Sequence, residues 1–375
     1  MEKKLFQHKN NSRNVVMDIA KGIGIYLMVC GHAFVLGKHF YTLFHMPLFF
    51  IISGYFIKDY NFANLTNVVA FVKKRFLQLW VPFFLCNAIF VSLNNFFISI
   101  NIYTNNLNFL TGCNGNKYGT LDVLTFGQII KKISWMLVFS SGSQLGEATW
   151  FFRVLFWISI SYVIVSFVLS KMVKNDKLFD MYRFILFLIA LGIGFFFAQI
   201  NFRFYNIGIM FSSILLLYLG VMYKKYEKFV NVNLKIVILC IAVLLVMVWC
   251  DTWINLAANK YVNPFILLLA SVSGFFLVLY LSKITEKSKS LANVFSYLGK
   301  NTIPVLCLHF LFFKLVLLLQ IYYYDLPLYR LASFPCYRIN QFWSILYTIV
   351  GVCGPILSCE IYRLFKRKIK SFFTK

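Results

Sequence analysis

The stretch NVVMDIAKGIGIYLMVCGHAFVL, residues 14–36, is apolar over the length of a bilayer span, yet it carries Asp18, Lys21 and His32. A hydrocarbon core takes a helix of ~20 apolar residues. An ionisable side chain in such a helix is expensive unless it faces a protein interior or a water-filled cavity. At 100° per residue, with His32 at zero, Lys21 falls near about −20° and Asp18 near about +40°. One stripe roughly 60° wide is therefore polar, and the rest of the helix is apolar or glycine. Asp18 and His32 are separated by ~21 Å along the axis. They belong near opposite ends of the span, so Asp18 cannot be the carboxylate that orients His32.

The whole chain repeats this character. Its 375 residues are 60% hydrophobic, 19% aromatic and 13% charged, with a mean hydropathy of +0.75. A soluble domain is about 45–50% apolar and ~25% charged, and a single aqueous core stops growing at roughly 250–300 residues. Soluble enzymes, disordered hubs and disulfide-stapled secreted domains are excluded. Further apolar runs lie near 41–57, 76–100, 148–170, 184–200, 207–223, 236–254, 264–282, 297–320 and 341–362. They predict an all-α polytopic integral membrane protein with about ten transmembrane helices, forming one domain over residues 1–375. The N-terminal segment is polar and basic with no small-residue cleavage site, so the first span is expected to be retained.

Charge then sets the expected topology. Lys and Arg total 37 against 12 Asp and Glu, a net +25. The loops between spans form two alternating sets, with 26 of these cations in the set that includes both termini and 8 in the opposite set. The positive-inside rule puts both termini in the cytoplasm and accounts for most of the charge without nucleic acid as a partner. None of the nine cysteines forms a CxxC pair or a Cys/His metal spacing, so no metal is expected. Only Cys113 and Cys336 fall in long loops, where a bridge could form. In the longest outer connection, 101–147, Leu121, Leu124, Ile129, Ile133, Met136 and Leu137 recur at helical spacing. That spacing predicts an amphipathic helix on the outer surface.

Other polar residues join the first stripe. The second span opens Phe44-His-Met-Pro-Leu-Phe-Phe50 and continues Ile51-Ile-Ser-Gly-Tyr-Phe56. A short hairpin connects it to the first, which predicts that His45 and His32 face each other at matched depth. Pro47 suits a first helical turn, and Ser53-Gly54 allows close approach of another helix or a ligand. A lone interfacial histidine is commonly structural; two at one depth, one on a polar stripe, point to chemistry. Glu147 and Arg153 flank Trp150 at the outer end of the fourth span. Six residues apart, they fall on opposite helix faces and do not pair with each other. Arg153 needs an acceptor, and Trp150 could stack on a ring. Asn301 and His309, ~80° apart on the ninth span, could line one cavity. Lys73, Lys74 and Arg75 at the inner edge of the third span either serve topology or hold phosphate.

These residues resemble a known family. Arg13, Asp18, Lys-Gly-Ile-Gly-Ile25, Gly31-His32 and Phe44-His-Met-Pro-Leu-Phe-Phe50 with Ser53-Gly-Tyr-Phe56 are similar to the opening of the bacterial membrane acyltransferase-3 family. Its branch of fucose 4-O-acetylase-like proteins and the enterobacterial common antigen O-acetyltransferase resembles the chain most. Lys73-Lys-Arg-Phe-Leu-Gln-Leu-Trp-Val-Pro-Phe83, Thr149-Trp-Phe-Phe152 and Tyr297-Leu-Gly-Lys-Asn-Thr302 followed by His309 extend the likeness. Phe152 stands where the family usually has leucine.

The resemblance implies a multi-pass protein of the bacterial cytoplasmic membrane that moves acetyl, or another acyl group, from cytoplasmic acetyl-CoA to a hydroxyl of a surface carbohydrate or lipid-linked glycan. The donor is a substrate, with no permanently bound cofactor. His32 then matches the family's essential histidine and His45 its second histidine, with Asp18 on the same stripe as a third catalytic candidate. Lys21, Lys73, Lys74 and Arg75 fall to the donor, and Glu147, Trp150, Arg153, Asn301 and His309 to the acceptor. A neutral imidazole suits removal of an alcohol proton. Transient acylation of His32 is the other route. A transporter or flippase for a surface glycan is the competing reading, because broken helices and intramembrane charge suit transporters as well. The sequence shows no inverted repeat. A structural or sensory protein would leave the polar stripe and the histidine pair as accidents.

Overall fold

The computed structural model describes residues 14–57, 62–111, 119–140 and 142–373. Among these the regular elements are helices, with a single isolated bridge between Asn255 and Lys260. Eight described helices are long and apolar enough to cross a bilayer: 15–32, 65–92, 147–172, 176–199, 204–226, 264–286, 302–323 and 341–369. The chain is a multi-pass membrane protein.

The first helix, α1 (Val15–His32), starts at Asn14, whose side chain accepts from the Met17 amide. Near the other end of α1 lies a short α2 (Lys38–Thr42), followed by α3 (His45–Tyr55). Here the expected 41–57 span is corrected. Residues 41 and 42 finish α2, the chain breaks at Leu43 and Phe44, and α3 keeps 11 residues, ~16 Å. It is buried against α1 and against the later helices Ile207–Tyr226 and Pro264–Glu286 rather than bathed in lipid. Its far end still reaches the start of α1, where Asn14 Nδ2 donates to the Tyr55 hydroxyl at 2.7 Å.

Next come α4 (Leu65–Arg75), a π-helical turn at Phe76–Trp80 and α5 (Val81–Ser92), one continuous rod. The wide turn has a local cause. In an α-helix the ring of Pro82 would strike the carbonyl of residue 78, and the i→i+5 pattern relieves that clash just before Pro82. After α6 (Asn94–Ser99) the outer connection holds α7 (Phe126–Met136). The amphipathic helix exists but begins later than its spacing predicts, because Thr125 and Gln128 form a capping box that fixes the start. Leu121 and Leu124 are extended chain. Met136 is buried, while Phe126, Ile130 and Trp135 are exposed.

The remaining long helices are α8 (Trp150–Met172), α9 (Asp176–Gln199), α10 (Ile207–Tyr226), α11 (Leu234–Trp249) and α12 (Pro264–Glu286). A surface helix α13 (Lys289–Lys300) leads to α14 (Thr302–Tyr323), and α15 (Gln341–Phe373) closes the chain. The expected 297–320 span is thus two helices broken at Asn301, ahead of Pro304. The 236–254 span ends at Trp249 and keeps 16 residues. Cys336 is a buried free thiol whose Sγ donates to the His32 carbonyl; Cys113 lies outside the described residues.

Glycines let backbones meet where the site is built. A Cβ on Gly22 would overlap the Phe295 carbonyl of α13, and one on Gly299 would overlap the Asp18 carbonyl of α1. The same exchange joins α3 to α10 through Gly54 and Gly220, as the Ser53-Gly54 reading expects. Arg183 is one of the 26 cations counted in the loops that include both termini. In the structure it is not a loop cation: α9 starts at Asp176, and Arg183 is 5% exposed, donating to Tyr162 at 2.9 Å and paired with Asp180, which also holds Lys225. Asp180→Ala would take the carboxylate from the buried Arg183 and should cost about 3–5 kcal/mol, read as a lower midpoint of thermal unfolding in detergent.

Candidate active site

Two groups of cavities approach each other along α1. The first opens at the end of the bundle that carries the lysine-rich connections. It measures about 530 Å³ and is lined by Asp18, Lys21, Lys74, Arg75, Lys300 and apolar side chains. Four cations face one carboxylate there, so the cavity favours an anion. Lys21 Nζ lies 2.9 Å from Asp18 Oδ1 and 4.2 Å from the centre of the Phe56 ring. The Arg75 guanidinium packs over Phe71 at 5.1 Å. Gln78 and Leu79 of the π-helical turn also line the wall.

The second cavity, about 400 Å³, lies toward the opposite end and is lined by His32, Lys38, His45, Glu147, Trp150 and Trp253. His32 and His45 therefore share one space, as their matched depth predicts. The His32 ring meets Phe310 edge-on at 4.8 Å and lies 5.3 Å from His309. His45 Nδ1 is 3.2 Å from the Tyr41 carbonyl. A carbonyl can only accept, so Nδ1 carries the proton and Nε2 is the nitrogen left to take one. His309 has the same arrangement with the Val305 carbonyl at 2.9 Å, and its Nε2 is buried without a partner among the described residues. Lys38 Nζ sits 3.5 Å over the Phe34 ring, and burial pushes its ammonium below the ordinary lysine range.

A third space of about 520 Å³ continues from this cavity, sharing Glu147, Trp150, Asn255 and Ala257 and adding Arg153 and Arg203. Arg153 finds the acceptor it needs in the Phe139 carbonyl, 2.7 Å from Nη1, and its Nε is buried without a partner among the described residues. Asn87 holds the turn that presents Glu147 and Trp150. Fully buried, it donates from Nδ2 to Thr149 at 2.9 Å and accepts at Oδ1 from the Ser143 amide at 2.9 Å. Nothing in its sequence context marks it, because its partners lie 56 and 62 residues away.

A thin wall separates the cation-rich cavity from the histidine cavity. On α1, Ile25 lines one and Met28 the other, a difference of ~4.5 Å along the axis. On α8 the neighbours Trp150 and Phe151 lie on opposite sides. Phe151 packs on Phe49 and Phe50 at 5.7 and 5.0 Å.

Four expected placements are corrected by this geometry. Asp18 is buried in the cation-rich cavity, paired with Lys21, and stands with the cations of that cavity rather than with the histidines. Lys73 is exposed and lines neither cavity, whereas Lys300, another of the 26 cations of the loop set that includes both termini, lines the cation-rich one. Asn301 lines none of these cavities. Its Nδ2 donates to Tyr297 at 2.9 Å and its Oδ1 accepts from Arg363 at 2.7 Å, tying the α13–α14 junction to α15. His309 is buried behind His32 rather than on a cavity wall. Lys314 is a loop anchor, donating to the Leu331 and Ser333 carbonyls at 2.8 Å each.

A family model described as an acyltransferase domain, that of the acyltransferase-3 family, matches residues 14–360. Neither the curated proteins nor the solved structures contain a match to the chain.

Proposed function

Because the chain belongs to the acyltransferase-3 family and is an acyltransferase by that membership, we propose that it transfers acetyl from cytoplasmic acetyl-CoA to a hydroxyl of a cell-envelope carbohydrate or lipid-linked glycan. We place it in the bacterial cytoplasmic membrane with both termini inside, within the branch of fucose 4-O-acetylase-like and enterobacterial common antigen O-acetyltransferase-like proteins. One observation carries the reading: a cation-rich cavity and a histidine cavity adjoin along α1, with Ile25 lining one and Met28 the other.

Coenzyme A supplies anionic phosphates, and Lys21, Lys74, Arg75 and Lys300 supply the opposing charge. The pantetheine arm then follows the α1 stripe toward His32, between Phe49 and Phe151. In direct transfer a sugar hydroxyl oxygen attacks the thioester carbonyl while its proton passes to the imidazole of His32. The C–S bond breaks, the thiolate takes the proton, and the products are an acetyl ester and free coenzyme A. In the two-step route the imidazole nitrogen carries the acetyl group between thiolate and hydroxyl. His45 lies in the same cavity with a nitrogen open to a proton.

Membranes containing the protein, incubated with acetyl-labelled acetyl-CoA, should label envelope glycan. Movement of unmodified glycan with no acetyl-CoA requirement would instead establish a flippase. On the donor side, Lys74→Ala and Arg75→Ala should each raise the KM for acetyl-CoA about 10-fold, the effect of one charged hydrogen bond. Lys73→Ala should leave it unchanged. Equal effects at all three positions, measured by initial rates, would remove the donor from this cavity.

A further inference from the structure

Trp253 is an indole held open. The residue is 52% exposed, yet its ring is fixed at two points. One face is stacked on His39, with centroids 4.0 Å apart and planes 6° from parallel. Its Nε1–H donates to Asp251 Oδ1 at 2.8 Å. The His39 ring is itself pinned, because Nε2 donates to the Thr252 carbonyl at 2.7 Å. Trp253 lines the cavity that holds His32 and His45, and Trp150 lines the same cavity.

A tryptophan near a membrane boundary is commonly an interfacial anchor, with its ring on the lipid perimeter. Trp249, 86% exposed at the end of α11, fits that description. Trp253 does not: it borders the histidine cavity, and its indole N–H is turned to a loop carboxylate.

We propose that Trp253 is the platform on which the acceptor's pyranose ring stacks, setting which hydroxyl is presented to His32. This rests on the carbohydrate acceptor proposed above. A pyranose has a face of C–H groups and a rim of hydroxyls. A rigid indole desolvates the first at little entropic cost, and the polar groups of the same cavity receive the second. Glu147 and Asn255 line both the histidine cavity and the adjoining 520 Å³ space, so they stand where the rim of a stacked ring and its next sugar would pass.

The test compares wild type with Trp253→Ala and Trp253→Phe, purified in detergent with thermal unfolding as a check on folding. The probe is glycan prepared from the envelope of the producing cells. Binding is read from tryptophan fluorescence, and transfer from labelled acetyl-CoA. Trp253→Ala should raise the acceptor KM and weaken glycan binding about 5- to 10-fold, the worth of one aromatic stack, with kcat and the acetyl-CoA KM within about twofold of wild type. Trp253→Phe should restore most of the loss. A purely structural residue would lower kcat and thermal stability instead. Transfer by Trp253→Ala with an unchanged acceptor KM would overturn the platform while leaving the transferase standing. Glycan binding that depends on Trp253 in a protein that transfers no acetyl would overturn the transferase reading while leaving the platform. Neither binding nor transfer by wild type would overturn both.

Discussion

Replacing His32 with alanine should lower acyl transfer by about 10²–10⁴-fold, the worth of a positioned general base, while the protein still inserts and folds. The ring lies on a cavity wall at the end of α1, where it contacts Phe310 and His309. His32→Gln keeps the side-chain length and some hydrogen bonding but cannot take a proton, and it should be as impaired as alanine. Labelled acetyl-CoA without acceptor separates the two routes: label retained on wild type and absent from His32→Ala marks an acetyl-imidazole, and no label on either marks direct transfer. Ordinary transfer rates in His32→Ala would remove this histidine from the chemistry.

The second large effect is structural. Gly22→Ala should destabilise the protein by about 3 kcal/mol or more, because the neighbouring atoms cannot yield to the added methyl. The new Cβ overlaps the Phe295 carbonyl, a backbone atom in the middle of α13. Either α1 and α13 separate or α13 unwinds locally, and both move Lys300 away from Lys21. Activity should therefore fall with stability, first as a higher KM for the donor. Gly192→Ala is the control. It is also helical, yet no atom lies within 4 Å of its added Cβ, so it should be neutral or slightly stabilising. Equal unfolding midpoints for the two variants would show that the α1–α13 contact does not hold the bundle.

What the sequence could disclose depended on whether the deciding geometry was local. The α1 stripe was legible because Asp18, Lys21 and His32 share one unbroken helix whose period is fixed by the backbone. The same argument failed for Asn301 and His309, since an angle between two residues has meaning only if the helix is continuous. The break at Asn301 sets that residue at the lysine-rich end. Lys73 and Lys300 were exchanged for a related reason: both stand in basic clusters at helix ends, and only packing decides which side chain meets the cavity. The start of α7 was hidden by hydrophobic spacing that ran past a capping box. Asn87 and Trp253 were not legible, because Asn87 holds residues 56 and 62 positions away and the Trp253 ring stacks on His39, partners that only the bundle brings together.

The wall between the two cavities has a consequence for the cell that holds such a protein. Any pair of openings from opposite faces of a membrane is a latent leak, and a channel wide enough for a thioester arm is wide enough for ions. Here the insulation comes from Phe49, Phe151 and their neighbours, which give an unoccupied molecule an oily septum where water chains cannot persist. In the proposed transfer, the entering donor arm would replace that septum with its own bulk. The membrane potential is then kept in both states, and a group can be handed across a dielectric barrier without the barrier being opened.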